Sequence, residues 1–118
     1  MEGIVVLVEY RARPGQEQVA MEQIARLVAD VRAREPDCEG IRILQSADDP
    51  TRITLVEAWP DRERFLGPHM HQPHIRAFID AADGFLQGPP EISFWHPSPA
   101  WDRRVSMRPR QEPQEPAR

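Results

Sequence analysis

IRILQSADDPTRITLVEAW, residues 41 to 59, holds two runs of apolar and β-branched residues around a cluster of turn formers. Residues 41–46 and 52–59 therefore read as two strands, joined through Ala47-Asp48-Asp49-Pro50-Thr51 into a hairpin. Before the hairpin, from Gln16 to about Arg34, the residues Ala20, Ile24, Leu27, Val28 and Val31 recur at helical spacing, and Pro36 closes the segment. Ahead of that helix, residues 4–12 are rich in Val, Ile and Leu and stop at Arg13-Pro14-Gly15, a second strand signal. After the hairpin, Asp61 is placed to cap a short helix through Leu66, and Gly67-Pro68 breaks it. Pro73 suits the first position of a helix reaching about Leu86, Gly88-Pro89-Pro90 ends it, and residues 91–96 read as a last strand.

The order is strand, helix, strand, strand, helix, strand, a βαββαβ split unit. It predicts an α+β, ferredoxin-like fold: a four-stranded antiparallel sheet with both helices on one face. The strands are apolar on both sides. In the first, Ile4, Val6 and Val8 alternate with Val5 and Leu7; in the third, Ile53, Leu55 and Trp59 alternate with Val56 and Ala58. Helices cover one face only, so a second apolar face predicts a homodimer in which two sheets pack together.

The 118 residues suit one domain, expected over 1–96, followed over 97–118 by a proline-rich, mostly disordered tail with Trp101 as its one possible anchor. The net charge is -4, and all fifteen basic residues are Arg; the chain contains neither Lys nor Asn. Lysine Schiff-base chemistry is thereby excluded. The acidic balance offers no basic face to nucleic acid, and no apolar run is long enough to cross a membrane. The single Cys38 has no disulfide partner within the chain, and the first residues lack the pattern of a secretion signal, so a cytoplasmic location is expected.

Chemistry concentrates around Glu57-Ala58-Trp59 and His69-Met70-His71-Gln72-Pro73-His74. A 100° step places His71, His74, Ile75, Phe78, Ala82 and Phe85 on one helix side, so His74 is expected to face the sheet. A histidine so placed is either a base in a cavity or a core residue bonded to a backbone carbonyl. Three histidines also raise the question of a metal, but a fourth ligand and a familiar spacing are absent, and none is expected. Trp59 shares a strand face with Glu57; on the helix side it is the wall of a pocket for a planar ligand, on the dimer side an interface anchor, and the plain alternative is a packing residue. Glu57, a carboxylate in an apolar strand, needs a partner, for which an Arg or a His is available. Tyr10 stands on the apolar even face of the first strand, where its hydroxyl can reach a pocket rim.

Taken together, Arg13-Pro14-Gly15, Glu35-Pro36-Asp37-Cys38, Glu57-Ala58-Trp59 and the His69-x4-His74 pair resemble the antibiotic biosynthesis monooxygenase family of dimeric α+β barrels, the quinol monooxygenase type included. The resemblance covers about residues 3–96. It implies oxygenation of a small aromatic substrate, a quinol or an anthrone, by dioxygen without flavin, haem or metal: no cofactor is expected. It further implies His74 and His69 as catalytic bases, with Trp59, Phe78, His71, Tyr10, Phe65 and Glu57 shaping the substrate pocket. Haem-degrading relatives use an Asn, which this chain lacks, with Pro68 and Phe78 aligned where their Trp and His stand. Two other readings stay open at this point: an isomerase whose histidines shuttle a proton on a small carbonyl compound, and a non-catalytic dimeric ligand-binding or stress-response module.

Overall fold

The computed structural model describes residues 3 to 98. The tail expected over 97–118, Trp101 included, lies from residue 99 onward outside the described residues. The strands are β1 (Ile4–Arg11), β2 (Gly40–Gln45), β3 (Arg52–Trp59) and β4 (Glu91–Trp95), and the helices are α1 (Glu17–Arg34), α2 (Arg62–Leu66) and α3 (Pro73–Ala81). All strand pairs are antiparallel, in the order β2-β3-β1-β4, which is the ferredoxin-like α+β arrangement. Among the described residues no helix is long and apolar enough to cross a membrane.

Alternation along the strands sorts the sheet into two faces. Ile4, Val6, Val8 and Tyr10 of β1 and Ile53, Leu55, Glu57 and Trp59 of β3 are buried beneath the helices. The intervening Val5, Leu7, Val56 and Ala58 remain partly exposed on the other face. Their register pairs Val5 with both Ala58 and Trp95, and Leu7 with Val56.

Helix α1 buries the expected stripe of Ala20, Ile24, Leu27, Val28 and Val31. Full burial of each larger member contributes about 1.5–3 kcal/mol, so this face, more than intrinsic propensity, holds the helix on the sheet. Its start has no side-chain cap; a turn at Gly15 (φ +83°) brings Gln16 N–H onto the Arg13 carbonyl at 2.8 Å instead. Helix α2 is capped as expected, with Asp61 Oδ1 accepting from the Arg64 amide at 2.9 Å.

The second long helix is shorter than its periodicity suggests. Residues His69–His71 form a separate 3-10 turn, Gln72 is extended, and only Pro73–Ala81 is α-helical before a second 3-10 turn at Ala82–Gly84. Long-range ties explain the early stop. Arg13 Nε donates to the Asp83 carbonyl at 2.7 Å, and Leu86 forms a bridge with Ala12, so the chain must turn back towards β1 before reaching Leu86.

Candidate active site

A cavity of about 440 Å³ lies between the helix-covered face of the sheet and helices α1 and α3. Its floor includes Val8, Tyr10, Leu55 and Glu57; α1 contributes Leu27, Val28 and Val31; α3 contributes Ile75, Phe78 and Ile79. The volume falls in the range of small-molecule sites, and the lining is mostly apolar. Among the described residues, its ionisable side chains are Tyr10, Glu57, His69 and Asp83.

His69 owes its position to a contact that spans the sequence. Glu35, the residue that ends α1, is buried, and its Oε1 accepts from His69 Nδ1 at 2.8 Å while its Oε2 accepts from His74 Nε2 at 2.5 Å. A carboxylate can only accept, so each imidazole carries a proton on the nitrogen that faces Glu35. For His69 this leaves Nε2 without a protein partner among the described residues, as the basic nitrogen of a cavity-lining ring. Trp59 and Phe65 pack against the same ring, with centroids at 4.6 and 4.8 Å, and restrict its orientation. Burial pushes the His69 pKa below the ordinary 6.5, against the opposing pull of Glu35, and the ring is therefore neutral at neutral pH.

Glu57 is the second polar group of the floor. It is buried, and its Oε1 accepts from Trp59 Nε1 at 2.8 Å. The partner expected from sequence, an Arg or a His, is replaced by an indole of the same strand face. Burial raises the Glu57 pKa from 4.5 to about 7, with a further push from the Glu35 charge and a partial offset from the Trp59 bond. Tyr10 is also buried, and desolvation together with the charge of Glu57 keeps its hydroxyl protonated well beyond the ordinary tyrosine range. At that end of the cavity Phe78 stacks edge-on with Tyr10 at 5.9 Å and with Phe85 at 5.7 Å.

Residues 3–81 match the family model for antibiotic biosynthesis monooxygenase. The chain belongs to this family. Solved structures of the same architecture include a Pseudomonas aeruginosa protein with TM-score 0.73 at 20% identity, covering 83% of this chain and 97% of that one. A Mycobacterium tuberculosis protein gives 0.70 at 18%, covering 84% and 98%. A candidate antibiotic biosynthesis monooxygenase of Nitrosomonas europaea gives 0.68 at 26%, covering 80% and 97%. The first two likenesses show the fold alone. No curated protein matches the sequence.

Five of the eight residues singled out in this antibiotic biosynthesis monooxygenase family member line the cavity: Tyr10, Glu57, Phe65, His69 and Phe78. Three do not. Trp59, expected as a pocket wall, is fully buried behind it, because its indole is spent on Glu57 and its ring on His69 and Phe65. His71, expected beside the substrate, is exposed and bonds the Gly67 carbonyl at 2.7 Å, since it belongs to the 3-10 turn and not to α3. His74, expected as the principal base, has a buried side chain directed at Glu35, and its Nδ1 has no partner. Nor do the histidines converge on a metal site: among the described residues no three His, Cys, Asp or Glu side chains could hold one. Glu35 was missed as a site residue. The signal was present, because Val28, Val31 and Glu35 stand at i, i+3 and i+7 on one helix face, which puts a carboxylate on the buried stripe.

Proposed function

We propose that this chain is a monooxygenase needing no bound cofactor, which oxidises a quinol, an anthrone or a similar electron-rich aromatic with dioxygen. His69 is the general base. Glu35 holds its tautomer and stabilises the imidazolium that forms, and His74 acts only through Glu35. The observation that carries this reading is an imidazole presented to an apolar cavity by a buried carboxylate. Such a pair raises the basicity of one nitrogen while fixing its direction. The substrate supplies the electrons. When an anthrone methylene becomes a carbonyl, one oxygen atom enters the product and the other leaves as water, so protein groups need only remove a proton, exclude bulk water and orient the ring.

The same reading includes a homodimer formed through the helix-free face of the sheet. It is supported by the partly exposed Val5, Leu7, Val56 and Ala58, flanked by the exposed Leu44 and Trp95. A contiguous apolar face of this kind is costly to leave in water.

Oxygen uptake with a panel of quinols and anthrones tests the activity. His69→Ala should lower the rate ~10²- to 10⁴-fold, the ordinary contribution of a general base, with the circular dichroism spectrum unchanged. If the wild-type protein consumes no oxygen with any of them, or if His69→Ala turns over as fast, the ligand-binding module takes the place of the monooxygenase.

A further inference from the structure

We propose that Glu57 is a general acid of the cavity, donating a proton to a substrate carbonyl while His69 removes a C–H proton conjugated with that carbonyl. The site is thereby fitted to ketones that must enolise before they react, of which an anthrone-type cyclic ketone is the simplest. This rests on reading the cavity as a catalytic site with His69 as base.

Three observations carry it. Glu57 and His69 line the same cavity, and Trp59 joins them, holding one by its indole N–H and the other by its ring. Only one carboxyl oxygen of Glu57 is occupied by that bond; the other has no protein partner among the described residues, on a floor that also holds Val8, Leu55 and Ile41. Tyr10 also lines the floor, but burial and the nearby Glu57 charge hold its proton well beyond the ordinary tyrosine range, so Glu57 is the stronger acid of the two. Burial of Glu57 favours its protonated form near neutral pH, in agreement with a donor role.

A quinol needs only a base, because its O–H is already acidic. In a ketone the proton sits on carbon, and the electron pair left by C–H cleavage must be received by the carbonyl oxygen. His69 Nε2 takes the proton, the C–H pair becomes a new C=C bond, the π pair of the fused ring between them shifts onto the carbonyl carbon, the carbonyl π pair moves to oxygen, and that oxygen takes the Glu57 proton. The products are the enol, an imidazolium held by Glu35, and a Glu57 carboxylate. Return of the proton from His69 to Glu57 through water resets the pair, and no oxidant is consumed.

The competing account gives Glu57 no task beyond accepting the Trp59 indole, and Glu57→Gln separates the two, since the amide oxygen preserves that bond and only the transferable proton is lost. Hydrogen–deuterium exchange at the methylene of an anthrone-type ketone, followed by proton NMR without oxygen, measures enolisation directly. Wild-type protein should accelerate exchange over buffer. Glu57→Gln should slow that acceleration ~10²-fold, by more than it slows any oxygen uptake with a quinol, and His69→Gln should lose both. Absence of exchange with wild type, an undiminished rate in Glu57→Gln, or equal losses on ketone and quinol would overturn the assignment. Exchange without oxygen uptake on any substrate would instead sink the monooxygenase reading and leave the acid–base pair standing.

Discussion

At the scale of single residues, the site turns on two buried carboxylates that behave differently because their partners differ. Glu35 accepts from two imidazoles, whereas Glu57 accepts from one indole. Between pH 4.5 and about 7 the native protein keeps a proton on Glu57 that the unfolded chain has released. Stability contributed by this residue therefore falls as pH rises across that window, by on the order of 3 kcal/mol at most. Glu57→Gln abolishes the dependence, so its denaturation midpoint relative to wild type should climb between about pH 5 and about pH 8. A difference that stays flat with pH would refute a buried, proton-retaining Glu57. Glu35→Gln acts in the opposite place: the amide has one oxygen for two imidazole N–H donors, and the orphaned donor costs about 1–3 kcal/mol. Since the Glu35 carboxylate is what raises the His69 pKa against burial, its loss should drive that pKa further down. NMR titration of the ring protons checks the sign, and an upward move would mean that Glu35 is not the partner.

At the scale of elements, much was legible. The stripe of α1, the β2–β3 hairpin and the Asp61 cap follow from spacing and turn chemistry, and the structure places them within a residue or so of the expected ends. The helix around His74 was not, because its apolar period continues past the point where Arg13 and Ala12 draw the chain away. Gly3 is a further position set by packing. A Cβ there would collide with the Trp59 carbonyl oxygen, which closes the end of β3 against the start of β1. Gly3→Ala should therefore destabilise by about 1–3 kcal/mol, as overpacking does. Urea denaturation measures the loss, and an unchanged midpoint would show that the strand ends yield freely.

For the whole molecule, the decisive feature is a sheet with one face roofed by helices and one left bare. Val56 stands near the middle of the bare face, directly across from Leu7. If two such faces meet, Val56→Arg buries a charge in their centre without touching the cavity, which opens on the opposite side of the sheet. Sedimentation equilibrium at micromolar concentration should then change from dimer to monomer while the far-ultraviolet spectrum is retained. A wild-type chain that already sediments as a folded monomer would remove the homodimer altogether.

The order of elements, the residues that share each sheet face and the family were all determined by the sequence, because they depend on periodicity and on turn residues that act over a few positions; which face the helices cover was not. Which histidine meets the cavity was decided only by tertiary structure. His69 sits in a 3-10 turn, where no helical period predicts direction, and its orienting contact with Glu35 reaches across 34 residues, as that of His74 does across 39. Trp59 and Glu57 make the same point from a strand. Alternation puts both side chains on one face, but only the packing of Phe65 and His69 over the indole leaves the carboxylate at the cavity and the aromatic ring behind it.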